Sequence, residues 1–296
     1  QFQIDPWLSS QKFFHGYLMR EDLPSLLQNH GDFLVRCNET HNVIVQTATE
    51  NKVKKYFFDP REKFPTIKGL ITHYTETPIV VELTLKRGIR LAKWEYSPQS
   101  VQVGKLITTA TYGEIREGKL TKTDGTVIDV AIKVVRTSLN FVLSQKYSKT
   151  KEMVKEARLM RGLNHTNIVR FYGVCLLEQP IYLLFELLSG GPLDVYLMEH
   201  KHEISKDERL QMVMSVGWGL EYLHSNAILH RDIAAKSCSY SVGKLVKISE
   251  FGLSRQGTSY SMKTARKMSI KWMAPESLRT LMFTQKSDVY SYGVNL

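Results

Sequence analysis

Two short stretches decide the fold of most of this chain: Asn-Ala-Ile-Leu-His-Arg-Asp at residues 226–232 and Ile-Lys-Trp-Met-Ala-Pro-Glu at residues 270–276. Glu-Phe-Gly lies between them at residues 250–252, and Val-Ala-Ile-Lys precedes both at residues 130–133. Apolar residues alternate over residues 127–134, and this period of two predicts a strand with one buried face. The sequence therefore contains four motifs in the order 130–133, 226–232, 250–252 and 270–276, and the first lies on a predicted strand.

In this order the motifs resemble those of the protein kinases, with Lys133 in the strand motif and His-Arg-Asp in the catalytic loop. Ala-Ala-Lys at residues 234–236 and Lys-Trp at residues 271–272 are similar to the tyrosine kinases in particular. The resemblance implies a kinase domain over residues 101–296, with ATP and Mg²⁺ as cofactors. It also implies transfer of the γ-phosphoryl group to a protein tyrosine.

The same resemblance gives individual residues a role. Lys133 would hold the α- and β-phosphates, Glu156 on the following helix would position Lys133, and Asp232 would accept the proton of the substrate hydroxyl. A Lys–Glu pair can also be mere surface electrostatics. The other residues implied at the site are Arg231 in the catalytic loop, Gly113, Ala131 and Glu186 for the nucleotide, Glu250 and Ser237 for the metal, Tyr260 as a phosphorylation site in the activation segment, and Asp288 as a brace of the catalytic loop.

Residues 11–93 contain a second set of motifs, centred on Phe-Leu-Val-Arg at residues 33–36. Phe-His-Gly at residues 14–16 comes before it, followed by an amphipathic, helix-like stretch that opens at Arg20 and includes Leu23, Leu26 and Leu27. Strand-like segments at residues 43–47 and 54–58 come after it. A helical pattern around residues 70–74 comes last. This order resembles the Src-homology 2 (SH2) domain throughout, and residues 94–100 are then expected to form a short linker.

In the SH2 family the strand arginine binds the phosphate of a phosphotyrosine, which by position implies this role for Arg36. A guanidinium suits the role because its planar fork matches two phosphate oxygens and keeps its charge when it is desolvated. Arg20 would add a second cation, Asn38 and Thr40 would donate from the following loop, and Lys55 would lie beside the ring. The alternative is a degenerate domain with a structural arginine.

An SH2 domain directly followed by this kinase resembles the C-terminal half of the Fes and Fer cytoplasmic tyrosine kinases. The fold class expected is α+β: an SH2 domain followed by a two-lobed kinase-like fold that lacks the last helices of the C-lobe, since the chain stops at Leu296. The partners implied are tyrosine-phosphorylated proteins, together with protein-tyrosine substrates if the chain is active.

Several residues depart from the kinase pattern at the nucleotide site. Glu250 replaces an aspartate, and its extra methylene displaces the carboxylate by about 1.5 Å. Ser237 replaces an asparagine, Ser239 replaces an apolar residue under the adenine, and the loop at residues 108–113 keeps one glycine of three. Two functions therefore remain open: an impaired tyrosine kinase, and a pseudokinase adaptor that binds phosphotyrosine proteins without catalysis.

Composition narrows the class of protein further. The chain has 296 residues and a net charge of +11, but its basic residues are scattered and no nucleic-acid recognition motif accompanies them. No apolar run approaches the eighteen or so residues of a membrane span. The three cysteines form no Cys-x-x-Cys pair, which favours a reducing compartment. The prediction is a cytoplasmic protein without nucleic-acid partners and without a transmembrane segment.

Overall fold

The structure is a computed structural model that describes residues 5–37, 46–50, 53–79, 83–110, 113–135, 143–241, 243–263 and 268–294. The chain forms two compact units. The first contains Gln1–Val101, Val135–Lys151 and Val174–Tyr182, and the second contains Gln102–Val134, Glu152–Gly173 and Leu183–Leu296. The expected division into residues 11–93, 94–100 and 101–296 stays a prediction.

Short elements dominate the first hundred residues. They are α1 (Pro6–Ser9), a 3₁₀ helix (Arg20–Asp22), α2 (Leu23–Leu26), β1 (Asp32–Phe33), β2 (Gln46–Glu50), β3 (Val53–Phe57), α3 (Ile67–Glu76) and β4 (Arg87–Gly88). Strand β1 pairs in parallel with β4, and β2 pairs antiparallel with β3. The SH2 assignment of this segment also stays a prediction.

The two helical patterns in this segment differ in outcome. Helix α3 confirms the second pattern: the Thr66 hydroxyl accepts a hydrogen bond from the Gly69 N–H at 3.0 Å and caps its N-terminus, and Leu70 and Tyr74 are buried. The amphipathic stretch after Arg20 is broken into a 3₁₀ turn and a four-residue helix. Pro24 explains the break, because proline lacks an N–H and is tolerated only in the first turn of a helix.

Residues after 100 begin with a five-stranded sheet in the order β5-β6-β7-β9-β8. Its strands and the intervening helix are β5 (Val101–Ala110), β6 (Gly113–Thr121), β7 (Val127–Val135), α4 (Leu143–Met160), β8 (Phe171–Cys175) and β9 (Ile181–Glu186). Strand β7 confirms the alternation at residues 127–134. It pairs antiparallel with β6, with Lys133 opposite Ile115.

The remaining residues form short helices and two-stranded ladders. They are α5 (Leu193–Glu199), α6 (Lys206–Ser225), β10 (Ile228–Leu229), β11 (Cys238–Ser241), β12 (Leu245–Ile248), β13 (Arg255–Gln256), β14 (Ser259–Ser261), α7 (Pro275–Thr280), β15 (Met282–Thr284) and α8 (Gln285–Val294). Strand β10 pairs with β13, β11 with β12, and β14 with β15, all antiparallel. Helices and sheets are thus mixed, as a kinase-like domain requires.

Part of the core of the second unit lies between α6 and the β11–β12 ladder. Leu220, Val246 and Ile248 are at most 3% exposed. Burying a large aliphatic side chain contributes about 1.5–3 kcal/mol, so these contacts hold the loops at either end of the ladder in place. Within the described part of the chain, every helix is too short or too polar to cross a membrane.

Candidate functional site

A buried ion pair joins the sheet to helix α4. The Lys133 ammonium on β7 lies 3.0 Å from both carboxylate oxygens of Glu156, and each side chain is 5% exposed. Burial opposes the charge on Lys133, but the carboxylates of Glu156 and Glu250 outweigh it and raise the pKa of the ammonium. Lys133 is therefore charged at neutral pH. The expected pair is present, and it is buried rather than at the surface.

Glu250 is the second carboxylate at Lys133. Its Oε2 atom lies 3.7 Å from the Lys133 Nζ atom, and its side chain is 40% exposed. The backbone of Glu250 is left-handed, with φ 58° and ψ 59°. A non-glycine residue in this region is strained, which is characteristic of functional loops. One ammonium consequently faces two carboxylates, and this part of the site has a net negative charge.

The catalytic-loop segment is braced by Asp288 at the start of α8. Its two carboxylate oxygens accept hydrogen bonds from the backbone N–H groups of His230 and Arg231, both at 2.8 Å. His224 lies 3.2 Å from the same carboxylate. Arg231 has φ 71°, so these bonds hold a strained backbone. The bracing expected of Asp288 is confirmed.

Asp232 follows this braced segment and is half-buried. Its Oδ2 atom accepts a hydrogen bond from the Lys236 ammonium at 3.1 Å, four residues further on. The carboxylate is 12% exposed, whereas the Lys236 side chain is 51% exposed. Asp232 thus presents an acceptor oxygen beside a cation. The contact with Lys236 was not expected from the sequence, and because Asp232 lies outside any helix the i, i+4 rule for helix surfaces does not indicate it.

Arg231 contacts Tyr260, the candidate phosphorylation site. Tyr260 lies on β14 opposite Phe283 of β15, and the Arg231 guanidinium lies 4.4 Å from the Tyr260 ring and 4.3 Å from the Phe283 ring. Arg255 lies 5.5 Å from the Tyr260 ring. Guanidinium groups stack favourably on aromatic faces, so the arginines hold Tyr260 by its ring.

The hydroxyls of Ser249 and Ser239 lead by hydrogen bonds to Ser237, the second candidate metal ligand. Ser237 itself is buried, and its carbonyl accepts a hydrogen bond from the Ser249 hydroxyl at 3.0 Å. The Ser249 and Ser239 hydroxyls lie 3.3 Å apart. Because Ser249 donates its proton to Ser237, Ser239 is the donor of this pair. Ser239, expected under the adenine, and Ser237, expected at the metal, are therefore linked by hydrogen bonds through Ser249.

The remaining nucleotide-site candidates lie on the sheet. Gly113 begins β6, Ala131 is half-buried on β7, and Glu186 ends β9. The Glu186 carboxylate lies 2.8 Å from the Lys247 ammonium, a contact between β9 and β12 that no local pattern in the sequence indicates. Thr111 and Tyr112 of the glycine-poor loop lie outside the described residues.

In the first unit, Arg36 is half-buried and its Nη1 atom donates a hydrogen bond to the Leu18 carbonyl at 3.0 Å. Leu18 stands two residues before Arg20, an exposed residue of the 3₁₀ helix, so Arg36 reaches the segment that carries the second expected cation. Lys55 is half-buried on β3. Asn38 and Thr40 lie outside the described residues.

The chemistry of the site suits ATP and Mg²⁺ unequally. Charged, buried Lys133 is a suitable partner for phosphate oxygens. Mg²⁺ prefers oxygen ligands in near-ideal octahedral geometry, but the Glu250 carboxylate is already at Lys133. In the described part of the chain, no three His, Cys, Asp or Glu side chains lie together as a metal-binding group. Lys133 therefore fits the phosphates of a nucleotide, whereas the Glu250 carboxylate expected at the metal already faces an ammonium.

Comparison with known proteins points to the same region. A family model described as protein tyrosine and serine/threonine kinase matches residues 101–296. The match includes Lys133, Glu156, Asp232 and Glu250. It begins at residue 101, and therefore does not test the interpretation of residues 11–93.

Individual relatives match nearly the whole chain. The Fps transforming tyrosine kinase of avian sarcoma virus (strain PRCII) is 33% identical over 99% of this chain, and human tyrosine-protein kinase Fer is 32% identical over 98%. The spermatocyte protein spe-8 of Caenorhabditis briggsae is 30% identical over 98% of this chain. The chain spans 56%, 36% and 58% of the lengths of these three relatives, respectively.

Proposed function

This chain belongs to the family of protein tyrosine and serine/threonine kinases and is homologous to the Fps and Fer tyrosine kinases, and on that premise we propose that it is a non-receptor tyrosine kinase with impaired phosphoryl transfer. Its residues 11–93 would bind tyrosine-phosphorylated proteins as an SH2 domain. The family in general uses ATP and Mg²⁺, and acts on proteins. A cytoplasmic location is part of this proposal.

The buried ion pair between Lys133 and Glu156 is the observation that carries the proposal. Keeping an ammonium and a carboxylate at 5% exposure is costly unless they are paired. This pairing supports the proposal that Lys133 holds the phosphates, as the corresponding lysine does in the family. Asp288 supports the same interpretation, because it holds the backbone from which Asp232 would act as the base.

Glu250 is the reason for proposing impaired transfer. Its carboxylate faces Lys133 at 3.7 Å, so a bound phosphate would share the ammonium with a second anion. The longer side chain also places the carboxylate where octahedral metal geometry is harder to satisfy. Removal of one well-placed electrostatic group costs about 10²–10³ in rate, which sets the scale of the impairment expected.

The test is phosphorylation of a generic acidic tyrosine substrate by purified chain with Mg-ATP. Asp232→Asn serves as the inactive control, and Asp129→Asn, at an exposed pair far along the β6–β7 ladder, serves as the matched surface control. We expect weak activity that Asp232→Asn abolishes and that Glu250→Asp raises about tenfold or more. Activity unaffected by Asp232→Asn would show that the assignment of the base is wrong.

A second candidate is an adaptor without catalysis, and the Glu250–Lys133 contact favours it over a fully active kinase. In that case Glu250→Asp leaves the chain inactive, while phosphopeptide binding persists. Binding of a phosphotyrosine peptide, measured by fluorescence anisotropy, then carries the function. Both candidates predict that binding depends on Arg36.

Arg36→Lys tests that dependence. Lysine keeps the charge but loses the planar fork that would contact two phosphate oxygens, so we expect phosphopeptide affinity to fall about tenfold or more. Arg90→Lys is the matched control, because Arg90 is an exposed arginine in the same unit. Equal affinity for parent chain and Arg36→Lys would contradict phosphate recognition by Arg36.

A further inference from the structure

A pocket of about 600 Å³ lies in the second unit, at the place where α5, the start of α6 and the β11–β12 turn meet. Its described lining includes none of the residues assigned to the nucleotide site. A pocket of this size, with a few convergent polar groups and shifted pKa values, is a reasonable candidate for a binding site. Nothing in the proposed kinase or phosphotyrosine functions uses it.

Two tyrosines and a glutamate form the inner wall of the pocket. The rings of Tyr196 and Tyr240 are stacked with centroids 3.9 Å apart, and the Tyr240 hydroxyl donates a hydrogen bond to Glu208 Oε1 at 2.6 Å. That hydrogen bond is the largest of the influences that lower the pKa of Glu208. Glu208 is thus ionised at neutral pH, and its side chain is only 12% exposed.

At its position in α6, Glu208 could instead have had a purely structural role. It is the third residue of the helix, where a glutamate can turn back to cap the N-terminus. Here the Ser205 hydroxyl caps the Glu208 N–H, while the Glu208 carboxylate accepts from Tyr240. The carboxylate is therefore directed to the pocket wall.

A cation from the chain itself already reaches this carboxylate. The Lys244 ammonium, from the turn between β11 and β12, lies 3.5 Å from Glu208 Oε2, and the Lys244 side chain is 62% exposed. Because the lysine is exposed and the contact is long, this pair holds Lys244 only loosely. The contact shows that the pocket accepts a positive charge at Glu208. A positively charged ligand could replace Lys244 there.

The charge of the lining favours the same kind of ligand. Glu199 and Glu203 are exposed at the rim and, with Glu208, bring the number of carboxylates in the lining to three. The basic side chains of the lining are Lys244 and His200, and His200 contacts Glu203 at 2.9 Å. The whole chain has a net charge of +11, so the negative charge of this lining is opposite in sign to that of the protein. A cationic ligand would be guided to it by charge complementarity.

We propose that this pocket binds an arginine side chain from a basic segment of a partner protein. The guanidinium would displace Lys244 from Glu208 and pair with the carboxylates in the bidentate geometry that an ammonium lacks. Arginine is favoured over lysine because a planar fork of N–H donors matches the two oxygens of a carboxylate. This inference does not depend on catalysis or on phosphotyrosine binding.

The experiment measures binding of fluorescein-labelled penta-arginine, penta-lysine and penta-glutamine peptides to the intact chain by fluorescence anisotropy. Glu199→Gln/Glu203→Gln removes the two rim charges, with Glu221→Gln, an exposed glutamate on α6, as the matched control. Lys244→Ala removes the competing cation, with Lys286→Ala, an exposed lysine on α8, as its control. All changed residues are exposed, so the fold should tolerate them.

We expect penta-arginine to bind more tightly than penta-lysine, and penta-glutamine not to bind. The double glutamine variant should lose about tenfold in affinity, and Lys244→Ala should gain about threefold, because the two changes act on the charge of the pocket in opposite directions. Both controls should match the parent chain. Absence of penta-arginine binding, or binding that the pocket variants leave unchanged, overturns the proposal.

Discussion

Replacing Lys133 by methionine should destabilise the second unit strongly, because it leaves the Glu156 carboxylate buried without its cation. Methionine retains an unbranched apolar side chain of similar length, so the change removes the charge with little loss of packing. In the parent structure Lys133 and Glu156 are each 5% exposed, and the ammonium lies 3.0 Å from both carboxylate oxygens. Water therefore cannot replace the lost partner.

The distance sets the magnitude of the loss. Two unit charges 3.0 Å apart attract by about 5–6 kcal/mol at an effective dielectric constant of about 20. Breaking a buried pair by removal of one partner costs about 3–5 kcal/mol. Burial raises the pKa of Glu156, so the orphaned carboxylate can relieve part of the cost by binding a proton. We therefore expect a loss of about 3 kcal/mol at neutral pH, increasing as the pH rises.

Urea unfolding, followed by intrinsic fluorescence, measures this loss. A loss of about 3 kcal/mol should lower the urea midpoint by about 1 M or more. Lys119→Met is the matched control, because Lys119 and Asp129 pair at 2.9 Å on the same sheet but are 58% and 67% exposed. An exposed pair contributes about 0–1 kcal/mol, so this variant should scarcely move the midpoint.

A second variant tests the physical reason. Lys133→Met/Glu156→Leu removes both charges, and it should be more stable than Lys133→Met alone because no carboxylate is left buried and unpaired. If Lys133→Met costs no more than Lys119→Met, the pair is not the buried electrostatic contact described above. If the double variant is as unstable as the single variant, lost packing rather than an orphaned charge explains the effect.

Three further outcomes are expected. Asp288→Asn should lower any kinase activity about tenfold or more without unfolding the chain, because an amide cannot accept both backbone hydrogen bonds equally well. Initial rates give kcat, and circular dichroism shows whether the variant is folded. Gly16→Ala should destabilise the first unit by about 1–3 kcal/mol in urea, because Gly16 has φ +52° and a Cβ atom would lie 2.0 Å from the Leu176 carbonyl oxygen. Burial opposes the charge on His15, but hydrogen bonding and attraction to Glu95 outweigh it and raise the pKa of His15. The stability of the first unit should therefore fall as the pH rises above about 6.5. Urea midpoints measured from about pH 6 to 9 check this, and Glu95→Gln should make them depend less on pH.

Local patterns in the sequence predicted the elements that local physics controls. The alternation at residues 127–134 predicted β7, and Thr66 with the apolar spacing after it is consistent with α3. The pairing of Lys133 with Glu156 was expected only through the resemblance to kinases. Twenty-three residues separate the two in the chain, and no local period connects them.

Other features could not be read from the sequence because they depend on contacts between distant elements. The Lys247–Glu186 pair joins strands whose spacing in the chain gives no signal, and the stacking of Arg231 on Tyr260 requires β14 to pair with β15. The left-handed backbone of Glu250 is of the same kind, because glutamate has no intrinsic preference for it. Surrounding structure imposes that conformation.

Lys133 and Glu156 contribute to the stability of the fold as well as to its site, whereas Glu250 contributes mainly to the site. Asp288 supports the catalytic loop through backbone N–H groups, and Lys133 with Glu156 forms a buried pair that does not require a nucleotide. Glu250, by contrast, is 40% exposed and makes its charged contact at 3.7 Å, so a change of its length alters the site at little cost to the fold. A substitution at residue 250 can therefore alter phosphoryl transfer while the contacts of Asp288 and of the Lys133–Glu156 pair are kept. This separation is why the fold alone cannot establish activity, and why the response of catalysis to Glu250→Asp distinguishes an impaired kinase from an adaptor.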